Sequence, residues 1–356
     1  MPPETRPEPR TEAEPGDLPD IPRPREQGRL VGHAAAEAAF VGALRAGRLH
    51  HAWLIGGPRG IGKATLAYRV ARWLAANPEA QRVPDRLDVP EGIPAARQVA
   101  ALSHPNLVAL RRVQGQGAKT MPTRIPVDAA RKALDLFGAT AGNAGYRVCI
   151  VDSAEDLNAN SANALLKMVE EPPPRSLFLI VSHAPGRLLP TIRSRCRALS
   201  LRRLGEDEVR TVIEGLPPPF VPPDAARLAR ACALGEGSVA RAAEMLDPGL
   251  LAMIAEVEAL LGGLPDPDWR RVLKLADRLA AREAEGLFAA ALETIQGHVA
   301  SEIDRRQGEG PGRLSALVDA SDRIAAAARE AAVYNLDRRP VILSVFGELA
   351  GAARAA

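Results

Sequence analysis

Gly57-Pro58-Arg59-Gly60-Ile61-Gly62-Lys63 constrains this chain more than any other stretch, because it stands between a short apolar run and a run of helical spacing. The upstream run, His51-Ala52-Trp53-Leu54-Ile55, reads as a buried strand, and Thr65-Leu66-Ala67-Tyr68-Arg69-Val70-Ala71 reads as a helix. Strand, glycine-rich loop and helix in that order are the setting of a P-loop. Gly57, Gly60 and Gly62 let backbone N–H groups and the helix N-terminus point at phosphate oxygens, and Lys63 is placed to reach the β- and γ-phosphates. Ala64 stands where a Mg²⁺-binding Ser or Thr is expected. Thr65 comes one position late, about 100° further round a helix. The phosphate cradle is intact and its metal ligand is missing. A glycine turn without a ligand is the alternative.

A second strand bears on the same chemistry. Arg147-Val148-Cys149-Ile150-Val151-Asp152 ends in an acid at the edge where an α/β sheet binds ligands. Asp152 is the candidate for holding Mg²⁺; a helix cap or surface acid is the alternative. In a working ATPase of this architecture a Glu that orients the attacking water follows that acid. Here Ser153 takes its place, and Glu155 lies too far along to be assumed a substitute, so poor or absent ATP hydrolysis is expected. Leu177-Phe178-Leu179-Ile180-Val181 reads as a third buried strand, ending at Ser182-His183. Helical patterns over residues 126–138 and 159–171, the latter stopped by Pro172-Pro173-Pro174, separate the strands. The alternation predicts a doubly wound parallel sheet.

At 356 residues the chain exceeds what one core supports, so two or three domains are expected. Residues 1–28 are dense in Pro, Glu and Arg, with hardly any large apolar side chain, and are expected to form a disordered tail. Residues 29–203 form the α/β domain, opened by a helix over 30–48. Its insertion, about 77–123, carries one strand at 106–110. Beyond residue 204 the strand signals fade: 204–247 reads as a small helical domain and 248–356 as a helical bundle. In the bundle, Leu287, Phe288, Ala291, Leu292, Ile295 and Val299 recur at helical spacing. Lys plus Arg at 46 against Asp plus Glu at 43 neither demands nor excludes nucleic acid. Cys149, Cys196 and Cys232 lie far apart, with no pair spaced for a disulfide framework or for zinc, which fits a reducing cytoplasm. No apolar run approaches the roughly 18 residues of a membrane span, and no signal-peptide core opens the chain.

Ala162-Asn163-Ala164-Leu165-Leu166-Lys167-Met168-Val169-Glu170-Glu171-Pro172-Pro173, followed by Thr191-Ile192-Arg193-Ser194-Arg195-Cys196, resembles the sliding-clamp loader ATPases. The resemblance covers about residues 30–246. Beyond them it rests on helical pattern and on Asn335-Leu336-Asp337 with the run from Pro340 to Phe346. It implies an AAA+ fold: a P-loop doubly wound parallel sheet, a small helical lid and a C-terminal helical collar. Arg195 then resembles an arginine finger, unpaired until it meets ATP held by a neighbouring subunit; a local pairing with a carboxylate is the alternative. Ser182 resembles the polar sensor of the γ-phosphate, and Arg241, in Gly237-Ser238-Val239-Ala240-Arg241, the sensor arginine of the lid. Either could instead be a solvated polar residue.

The implied cofactor is ATP, whose binding the sequence leaves open. Many relatives carry four zinc-binding cysteines in the insertion; residues 77–119 have none, so no zinc is expected. His104, before Pro105, reads as structural. The implied role is a non-motor subunit at one end of an open ring, with weak or no ATPase. It would supply Arg195 in trans within a bacterial, nucleoid-associated replication machine. Its partners would be other loader subunits and, through the complex, the sliding clamp and primed DNA, with no membrane. The alternative is an active motor subunit of the same machine. A small-molecule kinase lacks a substrate-pocket motif and leaves Ser194-Arg195-Cys196 unexplained.

Overall fold

Five parallel strands form the sheet: β1 (Ala52–Gly56), β2 (Leu107–Leu110), β3 (Arg147–Val151), β4 (Ser176–Ser182) and β5 (Arg197–Ser200), in the order β2-β3-β4-β1-β5. The structure is a computed structural model and describes residues 13–18, 20–79, 83–114, 122–138, 145–306, 311–334 and 336–355. Two compact units divide it, Met1–Glu244 and Met245–Ala356.

Successive side chains of a strand point to opposite faces. Trp53, Ile55, Val148, Ile150, Leu177, Leu179 and Val181 therefore pack with α1 (Ala34–Arg45), α2 (Lys63–Ala76) and α3 (Pro94–Ala100). Ala52, Leu54, Cys149, Val151, Phe178 and Ile180 face the other way, onto α4 (Val127–Gly138) and α5 (Ala159–Glu170). The sheet is doubly wound, and its inner strands are apolar runs because both faces are covered. β5 has no such run: it pairs with β1, and the Arg197 guanidinium lies 4.6 Å from the centre of the Trp53 ring.

The helix expected over 30–48 is shorter, because Gly32 at φ +79° and His33 precede its first turn. The insertion also holds α3, a helix beyond the single expected strand. Pro94 opens it, where a missing N–H costs nothing, and Ala96 and Val99 bury one face. Residues 80–82 and 115–121 of the insertion lie outside the described residues, as does Asn335.

The expectation of a disordered tail is corrected for residues 13–18 and 20–28, which pack on the α/β domain. Arg72 donates to the carbonyls of Arg25 (2.6 Å) and Gln27 (2.8 Å), and Arg25 donates to that of Ala100 (2.9 Å). Buried arginines, rather than apolar side chains, anchor this segment. Residues 1–12 lie outside the described residues.

α6 (Pro190–Arg193) leads to β5, after which α7 (Glu206–Glu214), α8 (Ala225–Leu234) and α9 (Val239–Glu244) complete the first unit. The second unit comprises α10 (Pro248–Leu261), α11 (Trp269–Leu279), α12 (Glu285–Arg305), α13 (Pro311–Tyr334) and α14 (Arg338–Ala355). Phe288, Ala291, Leu292, Ile295 and Val299 are buried along α12, and Leu287 lies at the edge of that stripe. Among the described residues no helix is long and apolar enough to cross a membrane. Burial pushes the Cys149 thiol up to about 12 and that of Cys196 to about 11, so both are poor nucleophiles.

Candidate nucleotide site

The loop after β1 turns through Gly60 at φ +75° and Gly62 at φ +100°, backbone conformations that disfavour any side chain. Gly62 is the N-cap of α2 and offers no side-chain acceptor, so the first N–H groups of that helix are left for an anion. The loop is pinned from both sides. His33 Nε2 lies 2.6 Å from the Ile61 carbonyl, and the Gly60 carbonyl accepts from Val239 N at 2.9 Å. Lys63 begins α2, is 3% exposed, and turns its ammonium back onto the Pro58 carbonyl. Burial lowers its pKa to about 8, against the opposing pull of the Glu155 and Asp152 carboxylates. The loop, the open helix N-terminus and the lysine are thus brought together, and the lysine already has an internal acceptor. Ala64 and Thr65 both line the cleft.

Opposite the loop, Ser153 takes a left-handed conformation, φ +66°, and a short 3₁₀ turn over Ala154–Asp156 brings Glu155 back to the site. The Glu155 carboxylate accepts from Ser182 Oγ and, at 2.7 Å, from Ala184 N. Burial raises its pKa, but those bonds outweigh burial and hold it below the ordinary value. Ser182 is fully buried and committed to Glu155. Asp152 faces the cleft; burial and then the charge of Glu14 push its carboxyl up to about 6, against Lys63 and Arg111. His183 Nε2 lies 3.0 Å from Ser153 Oγ, and burial together with Lys63 and Arg59 holds its pKa down. Asp152, Ser153 and His183 line a cleft of about 410 Å³, and Glu155 and Ser182 lie behind that lining.

Arg195 lies apart from this cleft, after α6. The expectation that its charge is unpaired is corrected: it pairs with Glu170 of α5 at 2.9 Å and donates to the Thr191 carbonyl at 3.1 Å. Both partners of the ion pair are more than a third exposed, at 40% and 38%. Ala240, Ala243 and Glu244 of α9 line the cleft, whereas Arg241, between them, does not and lies 4.0 Å from Glu236. Gly57 sits against β5, where a side chain would meet the Leu201 carbonyl. The structure thus gathers Gly60, Gly62, Lys63, Ala64, Thr65 and Asp152 around one cleft, and leaves Ser182, Arg195 and Arg241 off its lining.

Residues 32–205 match the family model described as DNA polymerase III, delta subunit. These residues, just under half of the chain, are therefore similar to a module of DNA polymerase III subunits. The chain is 38% identical to DNA polymerase III subunit delta' of Pseudomonas aeruginosa over 147 residues, 41% of each chain. It is 32% identical to subunit gamma/tau of Mycobacterium tuberculosis over 282 residues, 77% of this chain and 46% of that one. The chain therefore covers less than half the length of the curated relatives it matches. The Thermotoga maritima RuvB Holliday junction branch migration motor shares 18% identity, with 90% and 91% of the two chains covered and a TM-score of 0.44.

Several groups of the site escape sequence reasoning. His33 holds the loop from a position with no motif of its own. Arg69 is 2% exposed and bonded to Glu37 (2.6 Å), Asp88 (2.6 Å) and the Gly28 carbonyl (2.8 Å), so it supports the P-loop helix from behind. Its place in a run of helical spacing gives a faint signal: a charged residue on the buried face. Spacing alone does not show that the 3₁₀ turn brings Glu155 onto Ser182 and Ala184.

Proposed function

We propose that this chain is a delta-prime-like, non-motor subunit of the DNA polymerase III clamp loader. In this reading it supplies Arg195 in trans to ATP held by a tau/gamma neighbour and has little or no ATPase of its own. The observation that carries the reading is the double loss at the hydrolytic centre: Ala64 for the metal-binding hydroxyl and Ser153 for the water-orienting carboxylate. Phosphoryl transfer depends on positioning and charge stabilisation, so a P-loop lacking both parts retains a cradle without its machinery. The residues fit a phosphate group at Gly60, Gly62 and Lys63, and fit Mg²⁺ poorly, since Ala64 offers no hydroxyl beside Asp152 in the lining of the cleft.

An arginine finger needs a planar, permanently charged donor at a surface. Arg195 is such a group. An exposed ion pair like that with Glu170 is worth roughly 0–1 kcal/mol, so a neighbour's γ-phosphate can take the guanidinium over at little cost. The partners in this reading are tau/gamma and delta subunits and, through the complex, the sliding clamp and primed DNA in a bacterial cytoplasm. A motor, tau/gamma-like reading is favoured by the longer aligned stretch with gamma/tau and by the Glu155 carboxylate near Lys63.

Steady-state ATPase separates the two. The purified chain is expected to turn over negligibly, while Arg195→Ala should assemble with its partners yet lower the ATPase and clamp loading of the reconstituted complex. Arginine fingers contribute about 10³–10⁵ at a single site, diluted here by the other sites of the ring. A turnover near the roughly 10 s⁻¹ of a median enzyme, lost in Lys63→Ala, supports the motor reading instead. Full complex activity with Arg195→Ala refutes the trans role.

A further inference from the structure

The N-terminal segment crosses the mouth of the P-loop cleft and puts a carboxylate among its cations. Ala13 bridges Gln114 just beyond β2, with Gln114 N donating to the Ala13 carbonyl at 3.0 Å. This holds residues 13–18 over the cleft, which Glu14, Gly16, Asp17 and Leu18 line together with Lys63 and Asp152. Glu14 meets three guanidinium groups: Arg23 at 2.9 Å, Arg25 at 2.7 Å, and Arg111. The Glu14 side chain is 12% exposed, and those of Arg23, Arg25 and Arg111 are 7%, 8% and 15% exposed. Asp17 accepts from Arg23 Nε at 2.8 Å and caps the turn by accepting from Glu14 N at 2.9 Å. At Gly16 a Cβ would make ordinary van der Waals contact, at 3.5 Å, with Arg59 Nη2 of the loop.

Several guanidiniums converging on one anion beside a P-loop lysine is an arrangement suited to phosphate oxygens, which forked N–H donors match geometrically. Here an internal carboxylate holds that position. We propose that residues 13–18 are a built-in competitor for the cleft: Glu14 occupies the anion position, and a nucleoside polyphosphate reaches the P-loop only when this strap is displaced. The proposal concerns this chain's own cleft and stands whether or not Arg195 acts on a neighbour. A tethered competitor lowers apparent affinity by the fraction of molecules with the strap open. For a minor state populated at about 1–10%, the loss is roughly 10- to 100-fold.

The test is a fluorescence titration with mant-ATP at 0.15 M salt, using the full-length chain, Glu14→Gln, and the double variant Glu14→Gln/Asp17→Asn. Glutamine keeps the shape of Glu14 and removes the charge that the arginines hold. Both variants are expected to bind about 10- to 100-fold more tightly than the parent, and adding Lys63→Ala should abolish the gain. Asp207→Asn removes the same charge from a site 95% exposed and should leave the affinity unchanged. Equal affinity across parent and variants overturns the proposal, as does no binding by any of them. A gain that survives Lys63→Ala, or one matched by Asp207→Asn, also overturns it.

Discussion

The substitution Asp152→Asn should stabilise the protein, by an amount that grows as pH rises from the ordinary carboxyl value of 3.8 to about 6 and is constant above that. Its pKa is raised from 3.8 to about 6, first by burial and then by Glu14, with Lys63 and Arg111 only partly compensating. Below the unfolded value both states hold the proton and the fold bears no penalty. Between 3.8 and about 6 the unfolded state gives up the proton that the folded state still holds, so the penalty grows, and above about 6 both states are charged and it is complete. About two pKa units at 1.36 kcal/mol each give roughly 3 kcal/mol, which solvent at the cleft mouth trims to about 1–3 kcal/mol. The asparagine amide carries no charge, so at pH 8 the variant should unfold about that much later on a urea scale and, at ~2–4 °C per kcal/mol, several degrees higher. At pH 4, just above the ordinary carboxyl value, most of the difference should be gone. Paired melts between pH 4 and pH 8 check this. A variant that is neutral or destabilised at pH 8, or whose advantage is undiminished at pH 4, refutes the assignment of a strained carboxylate to Asp152.

Arg69→Met should cost roughly 3–5 kcal/mol in urea unfolding, because Glu37, 4% exposed, loses its cation; pairing it with Glu37→Leu should recover much of the loss. A mild single variant would show that Arg69 is dispensable. Gly60→Ala should destabilise by about 1–3 kcal/mol: its Cβ would stand 2.1 Å from Ser238 Oγ and 2.7 Å from Ala240 Cβ, at φ +75°. An unchanged melting temperature would mean that the loop and α9 separate freely.

The inner strands of the sheet were legible because burial on both faces demands uninterrupted apolar runs, as at 52–55, 148–151 and 177–181. α3 and β5 were not. Each is short: α3 draws its stability from packing Ala96 and Val99, and β5 from pairing with β1. The cradle residues Gly60, Gly62 and Lys63 were legible for a comparable reason, since their spacing is local and the chemistry depends on consecutive backbone N–H groups.

What the sequence by itself determined is the local grammar: strand, loop and helix around Lys63, the missing hydroxyl at Ala64, and the acid at the end of a strand in Asp152. What only tertiary structure decided is which charge meets which. Glu155 reaches Ser182 through a left-handed Ser153, Arg195 finds Glu170 of α5, and Glu14 finds Arg111 from far along the chain. Composition read residues 1–28 as unable to offset their ordering entropy, since it weighed apolar side chains alone. Their described part is held instead by buried arginines and carboxylates. Ion pairs of this kind act through space and depend on the desolvation of both partners, a property that exists only once the chain has folded.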